Sequence, residues 1–388
     1  MSLSSSRLRR LHDVLSAYVD RGELPGYIVL IARHGTVHLD CSGYERDAIF
    51  RLASMSKPIA SVGALVLVED AVIRLGDPVT DLLPELDGLR VLRDISSPVD
   101  DTVPAARPIT VRDLLTNTLG TGMVMSPPGT YPIQEAMQRT NPEVGLGRKP
   151  EAAEYLRRLA GLPLIHQPGE AWMYNTASDL LGVLVARASG RSFGQFLTER
   201  VFDPIGMPDS GFWVPPEKID RLPTEYEPGA EPGQQLKVND ESAGGLFSRP
   251  PDLESGAGGM VATVDDFHAF ARMLLDHGRA RGGRVLTRPT VEAMTTDQLS
   301  PAVKARTNWN NQWLPLDSWG FGVGVVTRRH DGTLSPGSYG WNGGFGTLWR
   351  SDPAEDMVVI LMTQVAGTTG IPRVFFDVLP LAYAAIDD

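Results

Sequence analysis

The sequence predicts an α/β protein of the α+β kind. One antiparallel sheet is built from both ends of the chain, N- and C-terminal helices flank it, and a mostly helical domain is inserted between. Three observations predict this. The apolar run Tyr27 to Arg33 turns at His34-Gly35 and can return over Thr36 to Cys41 as a hairpin. Gly-rich and β-branched segments reappear only late, at Trp319 to Thr327, Ser338 to Arg350 and Met357 to Thr363, separated by turns as in a meander. Between these regions, residues 76–255 are rich in Pro and Gly, with several helical patterns and few strand signals. The expected division is residues 1–75 plus 256–388 for a discontinuous sheet domain and 76–255 for the helical insertion, with an active site at their interface.

Residues 5–21 place Leu8, Leu11, Val14, Leu15 and Tyr18 at helical spacing. After the first hairpin, Phe50-Arg51-Leu52-Ala53-Ser54-Met55-Ser56-Lys57-Pro58 opens an apolar run from Ile59 to Ile73. That run is apolar on every side, which marks a buried helix, and Gly76 and Pro78 are expected to stop it. Pro58 is tolerated only near a first turn, so this helix starts close to Ser54. Thr110 caps a short helix over Val111 to Leu115, and Gly120 to Pro150 reads as loop, with three prolines before Ala136. Ala152 to Leu159, Thr176 to Ser189 (ending at Gly190) and Phe193 to Phe202 (closed by Asp203-Pro204) read as helices. Thr263 resembles the start of a capping box before Phe267 to Leu275, and an apolar helix from Pro372 to Ile386 closes the chain.

At 388 residues the chain can bury one large core or two coupled ones, and 42% hydrophobic with 21% charged residues is ordinary globular composition. The net charge is −11 and no long Lys/Arg-rich run occurs, which argues against nucleic acid as a partner. Cys41 is the single cysteine, so an intrachain disulfide and a multi-cysteine zinc site are excluded. The first ten residues lack an apolar signal core, and no stretch approaches the ~18 apolar residues of a membrane span. A cytoplasmic protein without a membrane partner is the expectation. Oligomeric state is not legible here.

Three stretches carry chemistry. Ser54 precedes Lys57 by three residues, so the two side chains share one helix face. A serine hydroxyl is a weak nucleophile until a base takes its proton, and a lysine at the mouth of a buried helix is pushed toward its neutral, basic form. Alone, the pair reads equally well as a helix cap followed by a solvated lysine. Tyr174, in Pro168-Gly169-Glu170-Ala171-Trp172-Met173-Tyr174-Asn175-Thr176-Ala177, follows a Pro-Gly turn and precedes a helix, where a phenol can reach a cleft and act as a base beside an ammonium. Tyr339-Gly340-Trp341-Asn342-Gly343-Gly344-Phe345-Gly346-Thr347 is a strand edge whose glycines permit close approach. A backbone N–H there can complete an oxyanion hole with that of Ser54.

Together, in this order, the stretches resemble the serine β-lactamase and penicillin-binding protein superfamily. More narrowly, Ser54-Met55-Ser56-Lys57-Pro58, Tyr174 and Trp341-Asn342-Gly343 resemble the class C β-lactamase-like esterases, the family VIII carboxylesterases. The likeness extends to Ile109-Thr110-Val111-Arg112-Asp113-Leu114-Leu115-Thr116-Asn117-Thr118 and to Gly256-Ala257-Gly258-Gly259-Met260-Val261-Ala262-Thr263. It implies a β-lactamase-like fold and a Ser54 nucleophile. It implies Lys57 and Tyr174 as the base, either one or the pair titrating as a unit, and an oxyanion hole of the Ser54 and Gly344 N–H groups. It calls for no cofactor or metal.

Departures from the family pattern point to the substrate. Trp341 stands where lactamases carry the lysine that attracts a carboxylate, and it suggests an apolar wall instead. Thr176 stands where the asparagine of Tyr-x-Asn often lies. With Asn342 and Gly343 these form the expected substrate-binding set, and the two replacements favour a neutral, small-molecule ester of short to medium acyl chain. The segment from Gly43 to Ser54 is also shorter than such esterases lead one to expect. Met-containing Gly120 to Pro150 and the loop Thr307 to Trp313 are candidates to line the pocket. The rival readings are a β-lactamase or D-amino-acid peptidase, an acyltransferase, and a non-catalytic penicillin-binding-like sensor. A Ser-His-Asp hydrolase built on Gly190-Arg191-Ser192-Phe193-Gly194 lacks the strand that must precede its serine. No His-Glu-x-x-His, Gly-x-Gly-x-x-Gly or Walker A sequence occurs.

Overall fold

Strand β1 (Tyr27–Arg33) is buried at every position because both faces of the sheet it belongs to are covered. Its side chains alternate between two cores. Ile28 and Leu30 join the large cluster that holds the serine-bearing helix, while Val29 and Ile31 join the cluster of the terminal helices. Strand β2 (Thr36–Ser42) pairs with β1 and is an edge of the sheet, with no fully buried residue. The other strands come from the far end of the chain: β3 (Ser318–Trp319), β4 (Gly324–Val325), β5 (Tyr339–Gly343), β6 (Thr347–Asp352) and β7 (Met357–Met362). The order is β3-β4-β5-β6-β7-β1-β2, antiparallel throughout. The computed structural model describes residues 3–140, 149–229, 235–306, 316–329, 332–367 and 373–388. Thr307 to Trp313 and Pro372 fall outside them.

The helices that matter to the site are α1 (Ser5–Asp20), α2 (Ser56–Glu69), α3 (Thr176–Ser189), α4 (Val264–Leu275) and α5 (Val374–Ala384). Helices α1 and α5 pack together on one sheet face and α4 packs on the other. Helix α2 is buried from Ser56 to Leu67, packed chiefly against α3, as an all-apolar helix must be. Among the described residues no helix is long and apolar enough to cross a membrane.

Several expectations need correction. Gly120 to Pro150 is not all loop: Pro132–Thr140 is a helix, and Pro132 occupies its first position, where a missing N–H costs nothing. Residues 141–148 of that stretch lie outside the described residues. Helix α2 ends at Glu69, before Gly76 is reached. Asp203-Pro204 does not close the helix from Phe193; a π turn over Thr198–Phe202 carries the chain on to Ile205, and Gly206 ends it in a left-handed conformation. The single strand expected from Trp319 to Thr327 is two short strands, because Gly320 to Gly322 turns between them.

Candidate active site

Ser54 lies in a 3-10 turn, Ala53–Met55, that runs into α2. Ala53 adopts φ 46°, a left-handed conformation that costs a non-glycine residue about 1–2 kcal/mol and persists only where neighbours impose it. Four hydrogen bonds impose it here. Leu52 N–H donates to Met260 O (2.9 Å), Thr347 Oγ1 to Leu52 O (3.0 Å), Ser56 Oγ to Ala53 O (2.7 Å) and Met260 N–H to Ser56 Oγ (3.1 Å). Ser56 is therefore a strut for the nucleophile turn, a role that its place in Ser54-Met55-Ser56-Lys57 does not disclose. As a first-turn residue, Ser54 has a backbone N–H with no intrahelical acceptor, pointing out of the helix start.

Lys57 is fully buried one turn later. Its Nζ lies 2.9 Å from Ser54 Oγ, 2.8 Å from Asn175 Oδ1 and 2.6 Å from Ala257 O. Two of these partners, an amide oxygen and a carbonyl, can only accept. A neutral amine has two N–H bonds and one lone pair, so with both N–H groups committed the lone pair faces the serine hydroxyl. Burial holds the Lys57 ammonium well below the usual lysine range, against the pull of Asp179 and with help from Lys149. Asn175 was not singled out in the sequence although it follows Tyr174 directly. It precedes α3 with φ 92°, and that strained turn aims its side chain at Lys57.

Tyr174 is buried beside the pair. Its hydroxyl hydrogen-bonds Ser54 and accepts from Trp341 Nε1 at 2.8 Å. Lys57 Nζ sits over the tyrosine ring, 4.5 Å from its centre. The phenol is pushed up to about 12 by burial, partly offset by the bonds to Ser54 and Trp341. Burial thus disfavours the Tyr174 anion. The tyrosine loop is pinned by Met173 N–H to Asn117 O (2.7 Å) and Met123 N–H to Tyr174 O (2.8 Å). Gly122 permits the second bond, since a Cβ there would stand 2.6 Å from Tyr174 O.

The strand-edge residues differ in part from what was expected. Trp341 is 1% exposed rather than an open apolar wall. It packs edge-on against Trp319 (4.6 Å between ring centres) and gives its indole N–H to Tyr174. Gly343 approaches backbone, with a Cβ there standing 2.2 Å from Leu52 O and 2.1 Å from Thr347 Oγ1. That fit holds the end of β5 against the Ser54 turn, and Gly344, exposed, is the next residue. Asn342 is buried and its Oδ1 has no partner among the described residues. Thr176 is the first residue of α3, and Asn175, not Thr176, meets Lys57. Ser192 stands apart: it caps the helix Phe193–Leu197 through Gln195 N–H and donates to Glu254 Oε1 at 3.2 Å.

A cavity opens beside the site. Asn175, Ala257 and Lys149 line it together with Phe212, Phe247 and Leu253. Its wall reaches the partners of Lys57 but not Ser54 itself.

The chain is 34% identical over 360 residues to an uncharacterized protein of Mycobacterium tuberculosis, covering 89% of this chain and 87% of that one. It is 29% identical to Esterase EstB of Burkholderia gladioli, covering 94% and 92%. Among solved structures, EstCE1, described as a hydrolase with promiscuous acyltransferase activity, superposes with a TM-score of 0.79 at 25% identity, covering 97% and 98%. The β-lactamase family model matches residues 11–374, nearly the whole length, and the chain belongs to the β-lactamase family.

Proposed function

We propose that the protein is a serine hydrolase that cleaves neutral carboxylic esters of short to medium acyl chain through an acyl-enzyme on Ser54. The observation that carries this is the buried Lys57 amine, held by two acceptors with its third direction on Ser54 Oγ at 2.9 Å. Neutral Lys57 takes the Ser54 proton as the oxygen attacks the ester carbonyl. The N–H groups of Ser54 and Gly344 receive the negative charge on the carbonyl oxygen. Collapse expels the alkoxide, which takes the proton of Tyr174, and Tyr174 recovers one from Lys57. Water then attacks the acyl-enzyme with the same groups acting again. Esterase EstB supports the ester reading by likeness. Trp341 supports the neutral substrate, because it places no charge where a carboxylate would bind.

A second reading, acyl transfer, rests on EstCE1 and its stated acyltransferase activity. An alcohol then replaces water in the second half-reaction, and the Ser54 acyl-enzyme is shared. The test is a p-nitrophenyl ester series beside nitrocefin, with and without added alcohol, on wild type and Ser54→Ala. Ester turnover lost in Ser54→Ala is expected, with the acyl group on Ser54 by mass spectrometry. Undiminished turnover in Ser54→Ala overturns the reading, and nitrocefin turnover far above every ester overturns the substrate class.

Trp341→Phe keeps a ring in the aromatic cluster and removes only the N–H that holds Tyr174. One hydrogen bond to a developing phenolate is worth about 1.5–3 kcal/mol, so kcat is expected to fall roughly tenfold to a hundredfold with KM little changed. A rise in KM at constant kcat would assign Trp341 to substrate contact instead.

A further inference from the structure

We propose that Lys149 and Asp179 are a positioning pair that holds one acceptor of Lys57, the Ala257 carbonyl, and whose opposed charges set how readily Lys57 takes a proton. The proposal rests on Lys57 being the base. Asp179 lies in the first turn of α3, one turn beyond Asn175. Its Oδ1 accepts from Ser255 Oγ (2.5 Å) and from Ala257 N–H (3.2 Å). Ala257 O in turn accepts from Lys57 Nζ at 2.6 Å. One short segment is thus gripped by Asp179 through one peptide group and presents the next to the catalytic lysine. The grip leaves no slack, since a Cβ on Gly256 would stand 2.3 Å from Ser178 O.

The other oxygen of Asp179 is taken by Lys149 Nζ, with Tyr155 OH at 3.5 Å. Lys149 Nζ also lies 3.5 Å from Ser255 Oγ and 5.8 Å from the centre of the Tyr155 ring. Both charged groups are buried. An apolar pair of the same volume would commonly serve stability as well or better, so stability alone does not account for the pair. A role at Lys57 does. Burial dominates the depressed Lys57 pKa; Asp179 opposes it and Lys149 reinforces it. The remaining groups facing Lys57 are Tyr174 and Asn175 ahead of α3, Ser54 on its own turn, and the uncharged Ser255 to Gly259 segment.

The two charges make opposite predictions, which a scaffold role does not. Lys149→Met leaves Asp179 uncompensated, raises the Lys57 pKa and moves the acidic limb of the kcat/KM profile to higher pH. Asp179→Asn leaves Lys149 uncompensated and moves the limb to lower pH. Each shift is expected to be about one pH unit, the scale of one neighbouring charge. The double variant should return toward wild type, and Lys149→Arg should hold the wild-type limb. The measurement is kcat/KM for a p-nitrophenyl ester across pH, with thermal melts beside it. Uniform loss of rate with an unmoved limb, or shifts of the same sign, overturns the proposal. If Asp179→Asn does not fold, Lys149→Met against Lys149→Arg decides alone. Lys57→Met separates the two layers: should it keep the wild-type limb, the base assignment itself fails. Should it lose the limb while Lys149→Met leaves it in place, only the positioning pair fails.

Discussion

Lys57→Met will lower kcat/KM for ester hydrolysis by roughly 10²–10⁴-fold while the chain stays folded. Methionine is close to lysine in length and fills a fully buried site without an ammonium. What is lost is the only amine at Ser54 Oγ among the described residues. Two further signatures separate this from a packing defect. On the proposed mechanism the wild-type active form carries neutral Lys57, so activity is expected to fall about tenfold per pH unit below its depressed pKa, and Lys57→Met is expected to have no such limb. Stability carries the second signature. Between the depressed folded pKa and about 10.5 the unfolded chain binds a proton that folded Lys57 refuses, so wild-type stability rises with pH across that window and is flat on either side of it. That slope should be absent from the variant. Against it, Asn175 Oδ1 and Ala257 O lose their donor, at about 1–3 kcal/mol each if no water replaces it. A variant with more than a tenth of wild-type kcat/KM would overturn the assignment of Lys57 as base.

How much of this was legible in the sequence follows from the range of each interaction. Strand β1 and helix α3 were readable to the residue, because a continuous apolar run and a terminal Gly190 act locally. Ser54 and Lys57 were readable as a pair because helix geometry alone joins them. Helix Pro132–Thr140 was hidden because the prolines before it are loop signals whichever structure follows. The break between β3 and β4 depends on Gly322 at φ 77°, where a Cβ would stand 1.9 Å from Ser61 Oγ, a contact across the fold. Asn175 was adjacent to a residue already chosen, yet only its unusual backbone turns the amide to Lys57. Trp341 was read through the charge it lacks. Its use as a donor depends on where Tyr174 lies, 167 positions earlier in the chain. Lys149 and Asp179 carry no motif, and their meaning arises only when Ala257 is placed between Asp179 and Lys57.

Gly343→Ala is expected to lower kcat by about 10²–10³-fold, the cost of losing one oxyanion donor, with a smaller effect on KM. The added methyl would enter at 2.2 Å from Leu52 O and 2.1 Å from Thr347 Oγ1. Neither neighbour can give way independently. Leu52 O accepts from Thr347 Oγ1, and Leu52 N–H is bonded to Met260 O, so both are struts of the Ser54 turn. The cheapest relief is for the end of β5 to move outward, away from Ser54. Gly344 follows directly, so its N–H moves with the strand while the N–H of Ser54 stays with α2. The hole then widens in the one direction that weakens transition-state binding more than ester binding. Overpacking of this kind costs about 1–3 kcal/mol, so a lowered but cooperative melt is expected beside the kinetic loss. The contrast with Lys57→Met lies in the pH profile. Gly343→Ala leaves the amine and its acceptors in place and should keep the wild-type acidic limb at every residual rate. A Gly343→Ala enzyme with unchanged kcat would show that the edge of β5 does not supply the oxyanion donor, and that Gly344 has to be replaced in the mechanism.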